Sequence, residues 1–473
     1  MKDDFKNWKS YQSGIRRKKR KARGIFSLAR LAGALIVLLA AAYGSIWIYH
    51  AGKSYLLKKG AFFRGTGIRP ITLNGNVNVD PSLSELTSLI FTGKKLQLAS
   101  LSEYFKNNPP VFNEIKDGHY IQKINGYTIV YTIEPSVQRE AEGILAQNNV
   151  PYGAVAAVNP ETGAVLALAS YSADPSDADE ISPLLPYPPG SLVKIITAAA
   201  AIESKGFNPS SSICFNGGMY STDRSFWKQG INEGANRLSL GLAFAKSCDV
   251  AFGKITGFYV GKPVLSEYFD KFYFNKKIPF VLDLKKSRAI IPDKFFQLEL
   301  TGAGFKNVVA TPLQEALITA SVINGGRLLD PYLIEKIISS RGNVIYSHEN
   351  VQVLGNPITG KTADVLRQMM IKTITMGVGH PDFYNLYNRY LLPGVIAGGK
   401  TGTITGDNPG GLYQWFAGFG EKGDKKIALS ALVIEKPIWR IEGGGIAEKV
   451  LFSYFFNNKN KNSINEVAFS KKK

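Results

Sequence analysis

The sequence predicts an α+β (mixed α/β) domain, an antiparallel sheet flanked by helices, tethered by one N-terminal transmembrane helix. Three observations lead there. Strand-like runs cluster at both ends of the stretch 127–456 with helix-patterned segments between them, which is how a sheet assembled from distant parts of a chain reads. A helix over 192–202 is apolar nearly all round and so belongs inside a large domain. An apolar run from Leu31 to Tyr49 precedes both.

The chain has 473 residues, enough for one large domain and a smaller one. A hydrophobic content of 45% with 20% charged residues excludes a generally disordered protein. The formal net charge is +20, but residues 1–23 hold ten Lys/Arg against two Asp and the chain ends in three lysines. The body's remaining surplus fits either an ordinary solvated surface or association with anionic envelope polymers. Nucleic acid is not an expected partner, because the basic block adjoins an apolar segment and not a reading module.

Taken in order, residues 1–30 form a cytoplasmic basic N-terminus and 31–49 the membrane span. Nineteen helical residues cover about 28 Å, close to the hydrocarbon thickness of a bilayer. The basic block marks the cytoplasmic side, with Trp47 and Tyr49 at the opposite interface. A cleaved signal peptide, processed near Ala40-Ala41-Ala42, is the competing reading. Either way the body is exported, which places it at the cell (inner) membrane, outside the cytoplasm.

Residues 50–126 form a small juxtamembrane region. It carries a strand pattern at Thr72–Val79, a helix at Ser82–Phe91 and a shorter one at Ser100–Phe105 with capping-box spacing. The main domain runs over 127–456. Thr128–Ile133 reads as a strand, Glu134-Pro135-Ser136 starts a helix to Gln147, and Asn159–Gly163 turns a hairpin within 153–169. After the apolar helix come an amphipathic helix at Leu238–Ala245 and one at Thr311–Ile323, opened by Pro312 and closed by Gly325-Gly326. A further helix covers Thr362–Met376. Strands at Gly394–Ile404, Trp415–Gly420 and Ile427–Glu435 precede a helix at Ile446–Phe456, and 457–473 is a basic disordered tail. Asp407–Gly411 reads as a flexible loop, Gly302 and Gly304 as turn glycines, and Trp415 and Phe416 as core.

Cys214 and Cys248 are the two cysteines, and they either pair or remain buried thiols. The four histidines are scattered, so neither a metal site nor a cofactor is expected.

The chemistry is concentrated in three short segments. Ser191 and Lys194 lie one helical turn apart on one face, and a lysine in an apolar setting can take a serine's proton. Ser247-Cys248-Asp249 sits in a turn between helices, and Lys400-Thr401-Gly402-Thr403 lies on a strand. Each is weak alone. In this order, SxxK, Ser-Asp-Asn and KTG sign the penicillin-interacting serine enzymes. Residues 127–456 resemble the transpeptidase domain of the penicillin-binding proteins, and Glu134–Gln138, Val158–Gly163 and Ala310–Gln314 resemble that family too.

The resemblance implies a five-stranded antiparallel sheet with an all-helical subdomain, the penicillin-binding/β-lactamase-like fold. It implies Ser191, Lys194 and Ser247 as catalytic nucleophile, base and proton relay, and Asp249, Lys400, Thr401, Gly402 and Thr403 as substrate-binding. Backbone N–H groups of Ser191 and Thr403 would form an oxyanion hole. The implied reaction is D,D-transpeptidation of peptidoglycan stem peptides, with β-lactams as inhibitors and a separate glycan polymerase as partner, since 50–126 is too short for a glycosyltransferase. A D,D-carboxypeptidase, a β-lactam sensor and a non-catalytic wall-synthesis scaffold are the alternatives. One position departs from the family: asparagine usually closes the middle motif, and here Asp249 does.

Overall fold

The computed structural model describes residues 91–457 apart from 93, 94, 97, 125, 229 and 437. The expected span at 31–49, the strand at 72–79 and the tail beyond 457 lie outside the described residues, as do 82–90 of the expected helix, whose last position, Phe91, forms a short strand with Thr92. No helix among the described residues is long and apolar enough to cross a membrane.

The strands that organise the domain are, in chain order, β1 (Glu114–Lys116), β2 (His119–Ile124), β3 (Tyr127–Tyr131), β4 (Tyr152–Val158), β5 (Val165–Ser172), β6 (Ile334–Ile338), β7 (Val344–Ser347), β8 (Ile396–Asp407), β9 (Gly410–Lys422) and β10 (Lys425–Glu435). They make two five-stranded sheets, β8-β9-β10-β4-β5 and β7-β6-β3-β2-β1. Every pairing in both is antiparallel. The main sheet therefore joins the expected N-terminal hairpin to the three C-terminal strands, with Ala431 opposite Val155 at the seam. The second sheet was not anticipated. It takes the strand expected to open the main domain, pairing Ile129 with Ile337 and with Gln122, so one hairpin crosses position 127.

The longer helices, in chain order, are α1 (Leu98–Asn107), α2 (Pro135–Gln147), α3 (Val193–Lys205), α4 (Leu240–Ala245), α5 (Asp249–Ile255), α6 (Gly261–Lys271), α7 (Phe295–Ala303), α8 (Pro312–Ile323), α9 (Gly360–Thr375) and α10 (Gly443–Phe456), with a single turn at His380–Phe383 between the last two. Period-two alternation in the main sheet divides its side chains between two layers. Leu429, Ala431 and Val433 of β10 pack with Val137 and Leu145 of α2 and Ile446 and Leu451 of α10. On the other face Ala428, Ala156 and Val158 join the larger core around α3 and α8. All twelve residues of α8 are buried, Gln314 and Glu315 among them, because the helix lies between sheet and helices and leaves no face to solvent. Thr311 caps it, its Oγ1 accepting from Gln314 N at 3.1 Å. The strand Ser212–Phe215, helices α3 to α7 and the turns joining them supply the helical part.

Local expectations are corrected at three places. Leu238 and Ser239 belong to a strand, Asn236–Ser239, and α4 starts only at Leu240, where Ser239 Oγ accepts from Leu242 N. That helix is buried at five of its six positions and so is not amphipathic. Asp407–Gly411 is no flexible loop: β8 and β9 run to Asp407 and from Gly410, leaving Asn408-Pro409 as a tight turn held by Tyr413 Oη donating to Pro409 O at 2.7 Å. Ser100 lies inside α1, two residues after its start at Leu98, and does not cap it.

Candidate active site

The segment leading to Ser191 is held from three sides before its first helical turn. Tyr187 exchanges two backbone hydrogen bonds with Ala310, of 2.9 and 2.8 Å. Trp415 of β9, 1% exposed, donates its Nε1–H to Pro188 O at 2.8 Å. Gly190 adopts a left-handed conformation, φ +58°, and a Cβ there would stand 3.1 Å from Thr403 N. Ser191 thus lies in a short 3₁₀ turn, Gly190–Leu192, that feeds α3, and not in the α-helix proper. The three-residue spacing still sets its hydroxyl beside Lys194.

Lys194 is fully buried, with its Nζ 2.6 Å from Ser191 Oγ, 2.7 Å from Asp249 Oδ1 and 2.8 Å from Ala303 O. The Phe252 ring of α5 lies 5.8 Å away, a cation–π contact. The Ala303 carbonyl is free to accept because α7 ends there, capped by Gly304 at φ +95°. A Cβ on Gly304 would fall 2.0 Å from Gly190 O. Gly302 is a helix residue pressed against the Thr256 side chain, and its carbonyl accepts from Thr197 Oγ1 at 2.8 Å. Sequence reasoning missed Ala303 and Thr197; of the two glycines expected in turns, Gly304 does turn the chain at the helix end and Gly302 lies inside the helix. A backbone carbonyl leaves no residue signature, and the paired glycines were the one available sign.

The second lysine–serine pair closes the site from the sheet. Ser247 is a non-glycine residue with φ +54°, in the turn where Ser247 N and Cys248 N donate to Phe244 O and Ala243 O. That conformation is sparsely populated and directs Ser247 toward β8. Lys400 Nζ donates to Ser247 Oγ at 2.8 Å and to Thr401 O at 2.9 Å. Burial, and then the neighbouring Lys194, push the Lys400 ammonium well below the ordinary lysine range, with Asp249 opposing. Burial raises the Asp249 carboxyl, while Lys194 and Lys400 pull it down.

The remaining predicted site residues lie on the same strand. Lys400 and Gly402 share one face of β8 by its pleat, and Thr401 and Thr403, both half-buried, share the other. A Cβ on Gly402 would meet Pro189 O at 2.4 Å, so this glycine is required by the approach of the Ser191 turn, a constraint distinct from the substrate contact expected of it. Asp249 is likewise engaged by Lys194. β8 stands at the edge of the main sheet, beside this turn. Cys214 and Cys248 are buried and free, and burial pushes the Cys248 thiol up to about 12. Among the described residues no group of three or more His, Cys, Asp or Glu is placed to hold a metal.

A serine against a buried lysine, faced by a second serine–lysine pair on an edge strand, is the arrangement of a serine acyl-transfer enzyme that uses lysine where others use histidine. Residues 153–454 match the model of the penicillin binding protein transpeptidase domain. The chain belongs to the penicillin-binding protein transpeptidase family. It is 26% identical to the stage V sporulation protein D of Bacillus subtilis, over 69% of this chain and 52% of that protein. It is 28% identical to the peptidoglycan D,D-transpeptidase PbpA of Mycolicibacterium smegmatis, over 65% of this chain and 67% of that one. The crystal structure of PBPA from Mycobacterium tuberculosis superposes with a TM-score of 0.55 at 26% identity, covering 69% of this chain and 81% of that one. The match thus spans about half of the Bacillus relative and about two thirds of the mycobacterial one.

Proposed function

We propose that this chain is a peptidoglycan D,D-transpeptidase that crosslinks stem peptides through an acyl-enzyme on Ser191 and is inhibited by β-lactams. The observation that carries this reading is the 2.6 Å approach of Lys194 Nζ to Ser191 Oγ. Lys194 takes the serine proton as Oγ attacks the D-Ala-D-Ala carbonyl, and Ser247 relays a proton to the departing amine. The half-buried hydroxyls of Thr401 and Thr403 receive the terminal carboxylate of the stem peptide, with the fully buried Lys400 behind them on the other face of the strand. Backbone N–H groups of Ser191 and Thr403 face the developing oxyanion, a contribution of about 2.7–4 kcal/mol per donor. The outer edge of β8 offers an extended stem peptide main-chain hydrogen bonds beside the nucleophile.

Anchoring by residues 31–49 sets the N-terminus in the cytoplasm and the domain outside the membrane, next to its substrate. A separate enzyme polymerises the glycan. The relatives' names as D,D-transpeptidases support the reaction, and the two lysine–serine pairs support its mechanism.

The test is covalent labelling of the full chain by a fluorescent penicillin. Wild type retains the label through denaturation, and Ser191→Ala loses it. A folded wild type that takes no label leaves the second reading, a non-catalytic scaffold, which Asp249 at an amide position favours. Product analysis then separates crosslinked stem-peptide dimers from the trimmed peptides of a carboxypeptidase.

A further inference from the structure

The departure at Asp249 has a geometric consequence for the base. Lys194 Nζ has three oxygen neighbours: Ser191 Oγ, Asp249 Oδ1 and Ala303 O. Its side chain is fully covered, and that of Asp249 is 12% exposed. A neutral amine carries two hydrogens and one lone pair. Ala303 O and an ionised Asp249 only accept, so a neutral Lys194 gives them its two hydrogens and turns the lone pair to Ser191. An ammonium has no lone pair and donates to all three oxygens.

A neutral amide at position 249 leaves this balance to burial. A carboxylate 2.7 Å away, in an interior of low dielectric, favours a proton on the pair. That proton rests on Lys194 or on Asp249. On Lys194 it occupies the lone pair, and on Asp249 it is donated to the lone pair, so in both placements Ser191 faces an N–H. We propose that Asp249 is a positioning residue that keeps one proton on the Lys194–Asp249 pair in the resting enzyme, so that Ser191 acylation waits on its loss.

The inference rests on the acyl-transfer reading above. Other groups facing the pair are few. Lys400 of β8 acts on both members, and burial and Lys194 already press it toward the neutral amine. The Cys248 thiol, pushed up to about 12, stays neutral across the physiological range. Ser247 lies beside Asp249 in the turn, α5 adds the Phe252 ring and α7 only the Ala303 carbonyl. Once the proton has left, Lys194 accepts the Ser191 hydroxyl proton as Oγ bonds to the β-lactam carbonyl carbon. The ring C–N bond breaks, and that proton passes by Ser247 to the released nitrogen.

The test is the second-order rate of acylation of the detergent-solubilised full chain by a fluorescent penicillin, from pH 6 to pH 9. Wild type is expected to rise about tenfold per pH unit to a plateau. Asp249→Asn is expected to reach a similar plateau at least about one unit lower, with a rate at pH 7 about tenfold higher or more. A wild-type rate that is flat over this range overturns the inference, and this result needs no variant. So does a folded Asp249→Asn whose profile superposes on wild type or that no longer acylates. Absence of wild-type label at every pH defeats the acyl-transfer reading itself, a separate failure from a label with a flat profile.

Discussion

Lys400 Nζ and Ser247 Oγ stand 2.8 Å apart, although 153 positions separate them in the chain. The contact joins the edge strand β8 to the left-handed turn after α4 and sets two lysines in one buried site. Among the described residues, the hydrogen-bond partners of Lys400 are uncharged oxygens, Ser247 Oγ and Thr401 O. Its burial therefore opposes folding.

Lys400→Met is expected to separate stability from acylation. The apolar side chain fills a similar volume without desolvating an amine, so thermal stability is kept or raised. Acylation by a penicillin is expected to fall about 10²–10⁴-fold, the range for loss of proton transfer and its electrostatic support. A melting curve and a labelling rate on the same preparation check both. Acylation within a few-fold of wild type removes Lys400 from the mechanism.

Gly304→Ala is expected to damage both stability and acylation. The residue is at φ +95°, and its Cβ would stand 2.0 Å from Gly190 O and 3.1 Å from Ser191 N, all backbone that must move. A loss of about 1–3 kcal/mol follows from a strained backbone position. The displaced carbonyl at Ala303 also deprives Lys194 of an acceptor. Gly342→Ala is the control, with φ +82° and nothing within 4 Å of its Cβ, so it is expected to leave the labelling rate unchanged. Equal labelling by both variants rejects the link.

Glu315→Gln is expected to stabilise the fold increasingly as pH rises. Glu315 is 2% exposed in the first turn of α8, where a helix N-terminus favours a carboxylate, yet burial pushes its carboxyl up to about 8. Below an unfolded value of about 4.3 both states hold the proton and no stability is lost. Between there and about 8 the unfolded chain releases its proton while the folded one keeps it, so stability falls by about 1.4 kcal/mol per pH unit. The Gln variant escapes this decline. Parallel denaturant melts from pH 4.5 to 8 check it, and a constant difference between the two proteins rejects it.

Elements with a local cause were legible in the sequence. The Asn159–Gly163 turn, Pro312 after Thr311 and the apolar helix behind Ser191 each declare themselves within a few residues, and each stands where expected. The second sheet was not legible, because β3 finds its partner β6 about two hundred positions away and nothing in Tyr127–Tyr131 names it. In the site, the order of three motifs carried Ser191, Lys194, Ser247 and Lys400, which the fold does bring together. Residue type alone does not name Asp249's partner; Lys194 fills that place because α5 starts at Asp249 beside α3. The Ala303 carbonyl could not be read from any side chain.

The seam between β10 and β4 has a temporal meaning. A ribosome completes Ser191 and Lys194 some two hundred residues before it completes Lys400, and the sheet closes only when Leu432 has met Ala154. A chain interrupted anywhere in that interval holds a nucleophile with no strand beside it to finish the site. The site around Ser191 is therefore assembled only once β8 and β10 have joined the sheet, and shorter products of synthesis lack it.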